Sequence, residues 1–329
     1  MAKRTTGAAA IAAAAERTQN IDNSTRQASQ PEQSYQDDTS GTVDEGSGDE
    51  PSCAIKQLPS RLQFKAAEVA SLINPVNEPS FGLTAAVSEG VLPTPLAIAV
   101  ATAKYWGARP RTLTVSFLET TPTELRRRIL GHLNAWTRTG GVRFQETASG
   151  GQVRISRGAG GYWSYLGTDV LLIPPGRPTM NLQSFTMNTA EKEYTRVVRH
   201  EAGHTLGFPH EHMRKDLVKL IDPAKAYDYF LRTYGWDRTT VKQQVLTALD
   251  ERTIMGTPVD QDSIMCYQLP GSITTNGRPI RGGTDINNSD YAFAGRIYPR
   301  SLAAASTGCS ETSDDWPESE DVDVNSYAS

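Results

Sequence analysis

Four of the chain's five histidines fall between residues 200 and 212, in the run His200-Glu201-Ala202-Gly203-His204-Thr205-Leu206-Gly207-Phe208-Pro209-His210-Glu211-His212. That spacing constrains the fold more than any other feature. Residues four apart project from one face of a helix, so His200 and His204 can share one tetrahedral Zn2+. A third ligand further along the same helix would leave that face, so the helix has to end before His210. Gly207 stands where such a stop is needed, because glycine enters the left-handed conformation that turns a chain back. Three imidazoles leave a fourth position for water, the arrangement of a catalytic rather than a structural zinc. Glu201 can reach that water but not readily the ion. The bland alternative is a polar helix with surface histidines.

The rest of the 329-residue chain falls into four parts. Residues 1–52 are an Ala run followed by Ser, Thr, Gln, Asp, Glu and Gly, and residues 301–329 carry seven acids with no Lys or Arg. Low hydrophobicity with segregated charge does not offset the entropy of ordering, so both ends are expected to be disordered tails. Between them, residues 53–95 read as an N-terminal arm or a removable pro-segment, and residues 96–300 as the main domain. The net charge of −4 hides a basic body, since residues 53–300 hold 29 basic against 21 acidic side chains. A charge of +8 admits an anionic partner, but no nucleic-acid module accompanies it, and solvated surface charge is the simpler account. No stretch approaches the ~20 apolar residues that cross a bilayer. Three cysteines, Cys53, Cys266 and Cys309, make no disulfide framework. Lys3-Arg4 and the Ala-rich stretch behind them resemble a signal peptide only superficially, so the compartment stays open.

Element signals become regular after Pro95. Leu113, Val115 and Phe117 alternate with polar residues, as in a half-buried strand. Thr121-Pro122-Thr123-Glu124 reads as a capping box, with Leu125, Ile129, Leu133 and Trp136 forming the buried stripe behind it. Strands are expected over 142–147, 152–156, 169–173 and 179–185, and a helix from about Thr189 into the histidines. Asp222-Pro223 opens a helix closed by Gly235. Thr239 or Thr240 starts another, and Ser289 caps a last one that Pro299 stops. A sheet-bearing first lobe and a helix-and-loop second lobe follow from this order. In the arm, a short strand or turn near Cys53 precedes one helix over Ala66 to Ile73.

The full H-E-x-x-H-x-x-G-x-x-H pattern resembles the metzincin zinc signature, and Glu211 directly after it resembles the astacin branch. Ser263-Ile264-Met265-Cys266-Tyr267 is similar to the astacin Met-turn S-x-M-H-Y, with Cys266 in place of His. Gly161-Tyr162-Trp163-Ser164-Tyr165-Leu166-Gly167 is similar to the astacin G-C-x-S-x-x-G segment, with Tyr162 in place of the cysteine. The resemblance spans residues 96–299. It implies a two-lobed α+β metzincin domain, with a twisted sheet and active-site helix in the N-terminal lobe and helix and loop in the C-terminal lobe. It also implies a zinc-dependent metalloendopeptidase acting on protein or peptide substrates, with one catalytic Zn2+ on His200, His204 and His210. Glu201 would be the general base, Met265 the apolar floor, and Tyr267 a weak ligand or transition-state donor.

Each companion has a plainer reading. Met265 alone is as well explained as core, and Tyr267 alone as a half-buried tyrosine. Glu211 partners the mature N-terminus in many astacins, but here Arg214 or Lys215 could take its charge. His132 and His212 are not expected to ligate, and Cys266 reads as a buried inert thiol. An extended substrate should pair with an edge strand. Residues 179–185 are the choice, which makes Thr179, Asn181 and Leu182 candidate substrate contacts. Arg278 and Arg281, on the loop after the Met-turn, would shape a basic pocket for acidic residues. The F-x-G-D switch of astacins is absent, since Phe81-Gly82-Leu83-Thr84 lacks the Asp. Pro51-Ser52-Cys53 resembles the zinc-capping cysteine segment of matrix-metalloprotease zymogens, too faintly to outrank an unligated thiol. A monomer without nucleic-acid or membrane partners is expected. The rival to catalysis is a silent zinc-bearing binding module.

Overall fold

A computed structural model describes residues 53–78, 102–249 and 258–301. The expected tails, the Pro-rich end of the arm, residues 81–84 and Cys309 lie outside the described residues. Among the described residues, six strands form one mixed sheet: β1 (Cys53–Lys56), β2 (Arg111–Phe117), β3 (Val142–Glu146), β4 (Val153–Ser156), β5 (Tyr162–Tyr165) and β6 (Met180–Leu182), in spatial order β1-β5-β6-β4-β2-β3. β3, β2, β4 and β6 are parallel neighbours, β5 runs antiparallel to β6, and β1 pairs parallel with β5 in the register Cys53↔Tyr162 to Lys56↔Tyr165.

The arm continues into helix α1 (Gln63–Ile73). Helix α2 (Thr123–Leu133) buries Leu125, Ile129 and Leu133, and the following turn buries Trp136, as its periodicity requires. Its start differs from the expected capping box. Thr121 Oγ1 donates backwards to the Glu119 carbonyl, and Pro122 takes the cap position. The active-site helix α3 covers residues 191–205, with a π turn at Tyr194–Val198 just before Arg199–Thr205. The expected strand at 169–173 is instead a 3-10 turn over Gly167–Leu172. Gly167 enters it in the left-handed region, where an added Cβ would lie on the Lys104 carbonyl.

The second lobe holds α4 (Lys215–Val218), α5 (Pro223–Tyr234), and α6 (Arg238–Val241) leading into a π turn at Lys242–Leu246. α5 is capped by Asp222 and stopped by a left-handed Gly235, as read from the sequence. The last described helix, α7 (Asn288–Ile297), is capped at Asn287, two residues before the expected Ser289. Asn287 and Asp290 make a reciprocal capping box there.

Among the described residues, two apolar cores correspond to the two lobes. One joins the inner faces of β2, β3, β4 and β6 to α2 and α3, while the other gathers Leu217, Ile221, Phe230, Val241, Val245 and Leu269. Consecutive residues of the Met-turn divide between them, Met265 in the first core and Cys266 in the second. The turn therefore joins the lobes under the site.

Candidate metal centre and active site

The helix stop after His204 forms as the spacing demands. Gly207 takes φ +92°, its N–H donates to the His204 carbonyl, and the Phe208 N–H donates to the Gly203 carbonyl. Both crossed bonds of a Schellman motif are thus present. The reversed chain brings His210 back to the helix. His210 Nε2 lies 3.2 Å from His200 Nε2 and 3.1 Å from His204 Nε2.

Two imidazoles are oriented from behind. His200 Nδ1 meets the Ile264 carbonyl at 2.6 Å, and His204 Nδ1 meets the Phe208 carbonyl at 2.8 Å. A ring that donates Nδ1–H to a carbonyl keeps its Nε2 lone pair for a metal. Burial also holds His200 down at about 4 and His204 and His210 well below the usual histidine range, so all three are neutral near pH 7. Three neutral acceptors facing one another repel unless a cation lies between them. Zinc bonds of 2.0–2.1 Å would separate tetrahedral nitrogens by about 3.3 Å, close to the distances found, so the residues fit zinc.

Glu201 is fully buried beside this cluster. Its Oε1 accepts from Cys53 Sγ at 2.7 Å, and its Oε2 has no hydrogen-bond partner among the described residues. Burial pushes its carboxyl up to about 8. Met265 is buried under α3, so close that a Cβ on Gly203 would lie 2.4 Å from its sulfur. The Tyr267 ring stands 6.3 Å from the His210 ring and 5.8 Å from that of His212, with its hydroxyl donating to Tyr234 at 3.3 Å. Cys53, Arg196, His200, Glu201, Tyr234 and Tyr267 line a cleft of about 380 Å³.

A family-level comparison matches residues 100–277, more than half of the chain, to Astacin (Peptidase family M12A). The chain belongs to the astacin family. It is similar to "Zinc metalloproteinase nas-27" of Caenorhabditis elegans, 34% identical over 166 residues. That alignment covers 50% of this chain and 35% of the relative, so the chain spans about a third of the curated relative's length. Among solved structures it is similar to myroilysin, with TM-score 0.56 and 29% identity over 60% of this chain and 97% of that one. The astacin-like α+β metzincin fold and a zinc-type metal centre accord with both. As an astacin-family chain it departs from the expected S-x-M-H-Y at Cys266, whose thiol is buried and raised by that burial.

Several expected details are corrected. Residues 179–185 are not the sheet edge. β6 lies between β5 and β4, Thr179 Oγ1 accepts from the Arg154 N–H, the Asn181 amide donates to the Gly158 and Gly161 carbonyls, and Leu182 is in the core. The edge strand beside the cleft is β1, whose Cys53 lines it, and β5 is the next strand inward. Arg278 and Arg281 do not line the cleft. Arg281 pairs with Asp262 on the surface, and among the described residues the cation lining the cleft is Arg196, itself paired with Glu193. Glu211 accepts from the Asp260 N–H at 2.9 Å and sits 3.4 Å from Arg214. His212 is not among the four converging donor groups, and its Nε2 meets the Gln244 carbonyl at 2.9 Å. The fourth donor position, expected to face water, faces Cys53.

Proposed function

We propose that the chain is a zinc-dependent metalloendopeptidase hydrolysing protein or peptide substrates, with residues 96–300 as the catalytic domain. The observation that carries the reading is the convergence of three buried Nε2 atoms with Glu201 and Tyr267 in one cleft. Zinc on His200, His204 and His210 would supply the Lewis acidity that polarises the scissile carbonyl and acidifies the attacking water.

The remaining steps belong to the chain's own side chains. Glu201 follows the first donor by one residue and turns its carboxyl into the cleft. Beside a held dication its ionised form is favoured, so it takes the water's proton and delivers it to the leaving amine. The Tyr267 hydroxyl donates to the oxyanion as charge develops. Extended substrate pairs with β5, the sheet edge once β1 is gone. Met265 fills the floor below the imidazoles and keeps water away from their rear.

The placement of Cys53 at the fourth donor position favours a second reading, a four-coordinate centre that binds but does not cut. Hydrolysis of a quenched fluorescent peptide by the full chain and by Cys53→Ala separates the two. The peptidase reading expects cleavage that a chelator abolishes and zinc restores. Zinc-loaded protein that leaves the peptide intact in both forms would establish the silent module.

A further inference from the structure

The three imidazoles differ in what stands behind them. His210 Nδ1 is buried with no hydrogen-bond partner among the described residues. His204 Nδ1 lies 2.8 Å from the Phe208 carbonyl, which only accepts, so the ring donates. That carbonyl belongs to the Phe208–Pro209 peptide, which has no N–H through which a further group could polarise it. His200 Nδ1 donates in the same way to the Ile264 carbonyl at 2.6 Å, but here the peptide behind the carbonyl is itself engaged. The Met265 N–H of that peptide donates to Ser263 Oγ at 3.0 Å, and the Ser263 hydroxyl donates to Asp290 Oδ1 at 2.5 Å.

Every donor in this chain points the same way, from the imidazole towards the carboxylate. Asp290 is fixed in turn. It lies in the first turn of α7, where its own N–H donates to Asn287 Oδ1. Its Oδ2 accepts from the Ile264 N–H at 2.9 Å and from the Asn287 N–H at 3.1 Å. Burial pushes the carboxyl up, and the Ser263, Ile264 and Asn287 donors oppose it. These three partners all donate, and the positive end of α7 adds to them, so the ionised form fits the place.

We propose that Asp290, acting through Ser263 and the 264–265 peptide, is a positioning residue that makes His200 the strongest of the three zinc donors. The carboxylate draws the Ser263 proton towards itself, which leaves Oγ a better acceptor for the Met265 N–H. The 264–265 peptide is thereby polarised, and the Ile264 carbonyl becomes more negative. Bonds in such a series strengthen one another by about 10–30% each. The His200 Nδ1–H bond is pulled harder and Nε2 gains basicity, the effect of a carboxylate set directly behind a ligating histidine. No proton changes owner. The proposal rests on the zinc-holding part of the peptidase reading and not on hydrolysis.

NMR of the zinc-loaded full chain, with isotope-labelled histidine, tests the relay, and the His204 proton is its internal control. In the wild type the His200 Nδ1–H should resonate downfield of the His204 Nδ1–H. Ser263→Ala cuts the chain but spares the Asp290–Ile264 contact, and Asp290→Asn removes the charge. Each should move the His200 proton upfield and leave that of His204 in place. Competition against a chromophoric chelator should show zinc bound about ten- to a hundredfold more weakly by both variants. An unmoved His200 proton with unchanged zinc affinity overturns the proposal. So do two protons that shift together, since loosened packing and not the relay would then be the cause. Should neither variant fold, the wild-type spectrum decides, and a His200 proton no further downfield than that of His204 overturns the proposal. Wild type that holds no zinc removes the metal centre and the relay with it. Zinc-loaded wild type that cuts no peptide removes the peptidase reading, while a displaced His200 proton in the same protein upholds the relay.

Discussion

Gly207→Ala asks whether the turn after α3 is what sets the third donor. At φ +92° a side chain costs about 1–2 kcal/mol relative to glycine. The added Cβ would also lie 2.8 Å from the Lys104 carbonyl oxygen and 3.2 Å from the Tyr105 ring. The Lys104 backbone has little room to yield. Its carbonyl accepts from the Thr168 N–H, and its side chain is buried against Asp169 at 3.2 Å. Overpacking of this kind costs about 1–3 kcal/mol, so the substitution should destabilise the chain by about 2–5 kcal/mol in all. The strain is relieved most easily by moving residues 207–210, which carries His210 off its partners. Urea unfolding in the presence of chelator reads the first quantity, and competition against a chromophoric zinc chelator reads the second. The expected result is that loss of stability together with zinc binding weakened at least about tenfold, the equivalent of about 1.4 kcal/mol. Stability within about 0.5 kcal/mol of wild type and unchanged zinc affinity would refute the argument. Lost stability with intact zinc affinity would detach the turn from donor placement.

Three further outcomes follow from the same structure. Tyr267→Phe, in the Cys53→Ala background, should lower kcat by about 10² with little change in KM, as expected for a donor used only in the transition state. A raised KM with unchanged kcat would make Tyr267 a binding residue. Asp169→Ala leaves the Lys104 ammonium buried without its counter-charge, and thermal or urea unfolding should show a loss of about 3–5 kcal/mol. A loss under 1 kcal/mol would mean that the pair is not held as described. Burial lowers His212 to about 4. Below its ordinary pKa near 6.5 the unfolded chain takes a proton at residue 212 that the folded chain refuses. That contribution to stability is therefore present above pH 6.5 and is lost as pH falls towards 4. Between pH 7 and 5, wild type should lose about 2 kcal/mol more than His212→Gln, and parallel pH profiles would contradict the burial.

How much of this was legible in the residues depends on how local each feature is. The three-histidine cluster is set by one helical turn and one glycine, both visible in a run of eleven residues, and the structure brings His200, His204 and His210 together. α5 was equally legible, because Asp222, Pro223 and Gly235 act on their own backbone. The cap of α7 was misplaced by two residues because Asn287 and Asp290 satisfy each other, a pairing that a lone Ser289 does not reveal. The sheet edge was not legible. The order β1-β5-β6 depends on an arm strand more than a hundred residues distant in the chain inserting beside β5, and nothing in 179–185 marks that strand as internal. Asp290 had no signal either, since its link to His200 runs through a backbone peptide. Cys53 had one, a thiol upstream of a three-histidine site. Only the strand pairing that carries it into the cleft gives that thiol its weight.

The most direct test of the whole account is zinc content and peptide turnover measured together on Glu201→Gln in the Cys53→Ala background. One zinc per chain, held as in the parent, is expected, with turnover lower by about 10²–10⁴, the contribution of a positioned proton acceptor. Turnover equal to the parent's would contradict it, because the buried carboxylate beside the first histidine would then have no part in the chemistry.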